Sequence, residues 1–257
     1  MSLVKMILKK YIKVPKLETF KNVLFIGPHP DDIEFGCGAT ISKLKENGAN
    51  IHFLIVTDGA SGTKSKDDNP LVLKETREKE ARSSASFLGA STIDFLNFED
   101  GGDYSKDECM KALIPYVLKY NPEIIFTTDP TLSTECHPDH IKVGEAVKTL
   151  TQIVTYPHSL MRNGIDISGY DTFPKGIYLA LFYTDKPNKR VRISKKHWKN
   201  KEKALFMHES QMEGDNKLFV TYFKVKGRLR GISHFSYMVE EYKVYHPLME
   251  HSYLEGF

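Results

Sequence analysis

Two short segments, Pro28-His29-Pro30-Asp31-Asp32 and His137-Pro138-Asp139-His140, hold most of the chemically versatile side chains of this 257-residue chain. Two imidazoles and a carboxylate, with a fourth position open to water, make a common catalytic metal site. Zinc held in that way lowers the pKa of its bound water to about 7, so hydroxide becomes available at neutral pH. A second carboxylate beside the ligand carboxylate can take the water's proton, and the Asp31-Asp32 pair offers one residue for each role. Iron(II) suits the same donor types, so the residues call for a metal without separating zinc from iron.

A lone His-Pro-Asp is ordinarily a loop with an Asp helix cap; the signal lies in two such loops that meet. Each proline fixes φ near −65° and stiffens its loop. Each loop then runs into a helical pattern, whose first N–H groups brace carboxylates and favour developing negative charge.

The elements that must bring the loops together are legible in the apolar pattern. Residues 22–27 (NVLFIG) read as a buried strand, and a helix follows the first loop, with Ile33, Ala39, Ile41 and Leu44 apolar and Gly48 as its stop. Further strands are expected over 51–57, 92–98 and 123–128, with helices over 71–88, 106–120 and 140–152. Strand alternating with helix forces parallel pairing. The expected class is therefore α/β: a Rossmann-like three-layer sandwich with a mostly parallel sheet of order 3-2-1-4-5. In that order strands one and four are neighbours at the point where the winding reverses, and a crevice opens beyond their carboxyl ends.

Past residue 155 the pattern weakens. Residues 176–184 and 191–193 look like strands and 198–211 like a helix, while the aromatic-rich remainder shows no clear period. The expectation is one domain, with an N-terminal arm (1–20), a Rossmann-like core (21–155) and an irregular C-terminal part (156–257) that shapes the substrate pocket.

Composition narrows the class. Hydrophobic residues at 40% and charged residues at 27% describe a globular chain, and a formal net charge of +3 with scattered basic residues gives no electrostatic footprint for nucleic acid. No run approaches the roughly 20 apolar residues of a membrane helix, so no membrane partner is expected. The lysine-interrupted start lacks the pattern of a signal peptide. Three widely spaced cysteines, Cys37, Cys109 and Cys136, form no framework and suit reduced thiols in a cytoplasm. Gly36-x-Gly38 sits too late behind the first strand for a dinucleotide loop, and the chain has no G-x-G-x-x-G.

At its two loops the sequence resembles the PIG-L/LmbE family of zinc-dependent N-acetyl-amino-sugar deacetylases. The family's P-H-P-D-D-x-E followed by G-x-G-G is matched by PHPDDIEFGCGAT, with Ala39 for one glycine, and its H-P-D-H stands at His137–His140. TREKEARSSASFLG, KEKALFMHESQ and YMVEEY resemble weaker family motifs, and the loops TDGASGT and DPTLSTECHPDH are similar to the archaeal diacetylchitobiose deacetylase branch. Where the family often has a glutamate after T-x-G, this chain has Ala60.

The resemblance implies that His29, Asp32 and His140 bind Zn2+ (or Fe2+), that Asp31 is the general base, and that Arg77 lies close to the reacting centre. It also implies that His137, polarised by Asp139, stabilises the oxyanion or protonates the leaving amine. The implied substrate is a small N-acetyl amino sugar or conjugate, and the implied assembly admits a homo-oligomer. From the residues alone, Arg77 has a rival role as a partner of Glu80 on its own helix, and Glu34 suits bracing the loop. His208 suits a structural hydrogen bond, while His246 and His251 in the tail have no assigned role.

Overall fold

The run Val23-Leu24-Phe25-Ile26 is fully buried on both of its faces, which is what a central parallel strand requires. The structure, a computed structural model, describes residues 12–212 and 215–250; residues 1–11 of the expected arm and His251 lie outside the described residues. Strand β1 (Asn22–Gly27) pairs in parallel with β2 (Asn50–Thr57) and β4 (Ile124–Thr128), and β3 (Thr92–Phe98) lies beyond β2. Beside β4 runs β5 (Tyr178–Phe182), also parallel. The expected order 3-2-1-4-5 is thus found. Two further strands, β6 (Lys189–Ile193) and β7 (Met238–Tyr245), extend it with antiparallel pairing to give β3-β2-β1-β4-β5-β7-β6.

Alternation along β1 divides the interior. Val23 and Phe25 face a core shared with α1 (Asp32–Glu46), α2 (Pro70–Leu88) and α6 (Lys195–Leu205). Leu24 and Ile26 face a second core under α3 (Lys106–Tyr120), α4 (Pro138–Ile153) and α5 (Pro157–Arg162). Helix α7 (Asp215–Ile232) lies across β7 and packs Val220 against Phe35, Leu205 and Met212.

The C-terminal third differs from its sequence reading. The helix expected over 198–211 starts earlier, because the Ser194 side chain caps it by accepting the His197 N–H. It stops at Leu205, and a 3-10 turn follows at Glu209–Gln211, where the Glu80 carboxylate on α2 accepts both the N–H and the hydroxyl of Ser210. Helix α7 escaped notice because Gly227 and Gly231 depress helix propensity within it. Both glycines serve packing: a Cβ at Gly231 would come 2.8 Å from Met238 Cα, so the helix lies directly on the β7 backbone. Gly36 and Gly38 likewise admit neighbours, the Phe182 ring and the Lys201 stem, which accounts for them without a nucleotide.

A buried ion pair ties this third to the start of the chain. Lys201, 2% exposed, donates to Glu240 Oε1 and to the Phe35 carbonyl, each at 2.6 Å. Glu240 Oε2 accepts the Thr40 N–H (2.7 Å) and hydroxyl (2.6 Å) and the Tyr242 hydroxyl (3.1 Å). Helix α6 and strand β7 are thereby fastened to α1, whose first turn carries the Asp31-Asp32 pair. Removing one member of such a pair leaves an uncompensated buried charge. We expect Glu240→Ala to cost about 3–5 kcal/mol of stability in urea unfolding, and the apolar double replacement Lys201→Met/Glu240→Leu to cost less than the single variant. Equal midpoints for Glu240→Ala and wild type would show the pair to be dispensable.

Candidate active site

Each functional loop leaves the carboxyl end of a central strand and enters a helix one turn later. The carbonyl of Pro28 accepts both the N–H (2.9 Å) and the hydroxyl (2.8 Å) of Thr57 at the end of β2, which holds the first loop open over the sheet edge. The second loop is held by Thr128 at the end of β4, whose hydroxyl donates to the His140 carbonyl at 2.9 Å. Because β1 and β4 are adjacent, the two loops meet.

At the meeting point Asp32 Oδ2 lies 3.0 Å from His29 Nδ1 and 3.3 Å from His140 Nε2. These separations match the edges of a tetrahedron: bonds of about 2.0–2.1 Å to one ion put neighbouring donor atoms about 3.3 Å apart. The far nitrogen of each imidazole is held by further carboxylates. His29 Nε2 meets Asp100 Oδ1 at 3.2 Å and Asp139 Oδ2 at 3.3 Å, and His140 Nδ1 meets Glu135 Oε2 at 2.8 Å. Metal-ligating histidines almost always have such a carboxylate or carbonyl on the other nitrogen, because it sets the tautomer and raises basicity. The donor set therefore fits a divalent ion. His137 also comes close, its donor atom within 4.8 Å of those of His29 and His140, and a second grouping of His29, Asp100, His137 and Asp139 can be drawn. Asp32 belongs to neither grouping; its Oδ2 lies between the His29 and His140 rings, whose outer nitrogens stay on carboxylates.

The family profile described as PIG-L, GlcNAc-PI de-N-acetylase, matches residues 24–151, which span both loops. A diacetylchitobiose deacetylase from Thermococcus kodakarensis is 35% identical over 200 residues, covering 76% of this chain and 72% of the relative. The chain belongs to the PIG-L family. Among solved structures, the N,N'-diacetylchitobiose deacetylase of Pyrococcus horikoshii superposes on this PIG-L chain with a TM-score of 0.87 and 28% identity, over 98% of this chain and 96% of that one. The 4-carboxy-2-hydroxymuconate hydratase GalB of Pseudomonas putida (17% identity, TM-score 0.67, covering 88% and 97%) shares the fold alone. The likeness to the diacetylchitobiose deacetylase branch expected from the loops is thus found.

Around the PIG-L motifs the structure assembles residues the sequence reading had and others it missed. Asp31 flanks the cluster, with Arg77 NH2 3.3 Å from its Oδ1. Arg77 NH1 donates to the Gly59 carbonyl at 2.9 Å, while Glu80 is engaged by Ser210, so the rival Arg77–Glu80 pairing is not the one formed. Asp139 has partners beyond the expected His137. Its carboxylate is completely buried, bonded to His29, to the Gly101 N–H (2.8 Å) and to the Tyr104 hydroxyl (2.9 Å), and lies 3.9 Å from His137 Nδ1. His137 Nδ1 instead accepts the Asp139 backbone N–H (3.3 Å), because His137 is the N-cap of α4.

Asp100, Glu135, Tyr104 and Tyr183 were missed. Asp100 follows β3 at the same sheet edge, and Glu135 stands two residues before His137, so position carried a signal for both. Tyr183 follows β5 with φ 56, a strained conformation for a non-glycine residue, and its hydroxyl reaches Asp32 O and Oδ1 at 3.3 Å. Other candidates are peripheral. His208 is buried with Nε2 3.4 Å from Glu34 Oε1, and Glu34 also accepts the Ser84 hydroxyl. His246 packs edge-on against Tyr178, at the end of β5 away from the site. Cys136 is exposed; Cys37 is buried, and burial pushes its thiol well above the ordinary range.

The cluster is acid-rich: Asp31, Asp32, Asp100, Glu135 and Asp139 converge, and among the described residues Arg77 is the one permanent cation paired with them. Burial disfavours charging His140, but the Asp32 and Glu135 carboxylates outweigh it and push the ring up to about 10. His29 is raised well above its ordinary value in the same way, against burial, by Asp100, Asp139 and Asp32. Burial works to raise the Asp32 carboxyl, yet the two imidazoles hold it well below the usual range. Without metal, imidazolium charge does part of the neutralising.

A raised folded-state pKa stabilises fully below the unfolded value, about 6.5 for histidine, and that stability is lost as pH climbs through the folded value. We therefore expect metal-stripped protein to lose thermal stability as pH rises from 6.5 towards 10, with a shallower slope in His140→Gln. Metal binding at pH 7 should release protons, since the imidazole donors must be neutral. Calorimetry in buffers of different ionisation enthalpy reads that release, and a buffer-independent heat would contradict the charged, metal-free state.

Proposed function

We propose that the protein is a metal-dependent hydrolase that removes the N-acetyl group from an N-acetylglucosamine-containing sugar or conjugate. The observation that carries this reading is Asp32 Oδ2 set between His29 Nδ1 and His140 Nε2, with Asp31 beside it. His29, Asp32 and His140 would hold zinc, or iron(II) with the same donors. When bound, the ion supplies a Lewis acid that acidifies water and polarises an acyl oxygen. The relatives' printed names support the substrate: deacetylases of diacetylchitobiose and of inositol- and malate-linked amino sugars.

The chain's own residues then divide the proton work. Asp31, oriented by Arg77, removes a proton from the attacking water as its oxygen bonds to the acyl carbon. Burial lowers the His137 pKa, as do the neighbouring His29 and His140, which favours the neutral ring. With Nδ1 accepting a backbone N–H, the ring proton sits on Nε2, from which it donates to the oxygen that gains charge. Preorganised donors of this kind are typically the largest contribution to acyl transfer. The C–N bond breaks as Asp31 returns its proton to the amine, giving acetate and a free amino sugar. Tyr183 stays protonated, since burial and the nearby Asp32 and Asp31 charges raise it well above its ordinary value, and it orients Asp32.

Acetate release from N-acetylglucosamine, diacetylchitobiose and a GlcNAc glycoside, with chelator and with zinc restored, tests the reading. Chelator-sensitive, zinc-restored release is expected, and no release from metal-loaded protein on any of the three rejects the substrate class. Asp31→Asn should retain metal and lose about 10² to 10⁴ in kcat. A rate near that of wild type would remove Asp31 from its role. Asp32→Ala and His140→Ala should lose the metal itself, read by elemental analysis.

A further inference from the structure

Helix α7 is held from one side only. Val220 packs on Phe35 and Leu205, while Gly227 and Gly231 lie against β7. Half a turn round stand Leu218, Tyr222, Val225, Leu229 and Ile232, each more than half exposed, with Leu229 at 65% and Ile232 at 70%. At 3.6 residues per turn, their alternating spacing of four and three sets them in one stripe about 21 Å long on the outward side. Phe235, on the turn that follows, is 96% exposed and adds an aromatic ring beyond the helix end. A contiguous apolar surface of this kind marks a contact that the chain does not supply itself.

Cations border the stripe on both sides. Residues 217–232 contain five basic side chains and no acid. By the same spacing Lys217, Lys224 and Arg228 run along one flank, and Lys226 and Arg230 along the other. Lys224 pairs with Glu202 at 2.9 Å and Arg230 with Glu241 at 3.6 Å. Among the described residues no carboxylate pairs with Lys217, Lys226 or Arg228, whose contacts include the Tyr222 ring for Lys226 and the Tyr237 carbonyl for Arg228. The outward face is apolar along its crest and positive along both shoulders.

That charge decides between occupants. Four-three spacing is also the seam of a coiled coil, in which flanking charges set the choice of partner. Two copies packed stripe against stripe would bring basic flank to basic flank in either direction, and like charges so placed repel. A peptide helix is held in a groove, whereas one helix standing on a strand presents a ridge. A ridge with an apolar crest, basic shoulders and an exposed aromatic suits a lipid interface, with the crest among acyl chains and the lysines reaching to headgroups. Such a helix lies in the interface and need not span it; among the described residues no helix is long and apolar enough to cross a membrane. We propose that the outward face of α7 docks the protein on an anionic lipid surface. The inference goes beyond the deacetylase reading and does not depend on it.

Co-sedimentation of the 257-residue chain with vesicles tests the proposal, using phosphatidylcholine alone and phosphatidylcholine mixed with phosphatidylglycerol. Wild type should partition onto the anionic vesicles at least about tenfold more strongly than onto the neutral ones, and high salt should weaken that preference. Leu229→Asp/Ile232→Asp should abolish binding. Lys217→Gln/Lys226→Gln, which removes one cation from each flank, should weaken it about tenfold. Phe235→Asn leaves the helix itself untouched and should also weaken binding, at an unchanged unfolding midpoint; it decides the matter if the double aspartate variant fails to fold. No preference for anionic vesicles, or binding unaltered by these apolar substitutions, would overturn the proposal. So would a wild-type dimer in sedimentation velocity that Leu229→Asp/Ile232→Asp renders monomeric, since the stripe would then belong to a second copy.

Discussion

Everything chemical in this molecule depends on β1 and β4 lying side by side. Their register pairs Leu24 with Ile125 and Phe25 with Phe126, so Gly27 and Thr128 end at the same edge of the sheet. Parallel strands present their carboxyl ends together, and the reversal of winding between these two leaves that edge uncovered by a crossover helix. The loops that follow are therefore forced into contact however distant they are in sequence. Close packing then fixes their height: a Cβ at Gly144 would come 2.8 Å from the Thr128 carbonyl, so α4 can sit down on the strand end and present His140 towards Asp32.

Concentrating carboxylates at one edge is costly, and the fold answers that cost with directed donors. Asp139 is completely buried and accepts from Gly101 and Tyr104 as well as meeting His29. These bonds and the His29 ring hold its pKa at about 2 despite the burial that would raise it. Asp100 accepts the Ser61 N–H at 3.1 Å, which links the loop after β3 to the loop after β2. Each outer carboxylate thus has two tasks, orienting an imidazole and anchoring a loop. The proposed ligand carboxylate, Asp32, is itself held by the His29 backbone N–H at 3.0 Å.

The parts of this arrangement that were legible in the sequence are those governed by strong local rules. Apolar runs such as Val23–Ile26 and stop signals such as Gly48 at φ 75 mark strands and helices by their own chemistry. The two histidine loops stood out because imidazole, proline and aspartate are rarely grouped by chance. Asp100 did not stand out, because an acid in a Gly-Gly loop reads as a turn, and its role exists only once β3 is placed at the sheet edge. The Asp139 carboxylate has further partners that adjacency in sequence does not reveal. Adjacency to His137 suggested a side-chain pair, whereas the capping geometry of α4 spends His137 Nδ1 on a backbone N–H and turns the carboxylate towards His29.

Helix α7 shows the opposite limit. Its apolar residues at 218, 222, 225, 229 and 232 are exposed, so they carry helical spacing without the burial that normally makes that spacing readable. What holds the helix in place is on its other side, where Gly227 and Gly231 lie against β7 and Val220 joins Phe35 and Leu205. Strand β7 is in turn fastened to α1 through Glu240 and Lys201, one turn beyond the residues that surround the proposed ion. Helix α7 is therefore braced by the same helix that presents Asp32. Its Phe223 stacks on Tyr183, whose hydroxyl reaches Asp32, so residues from opposite ends of the chain meet at one carboxylate.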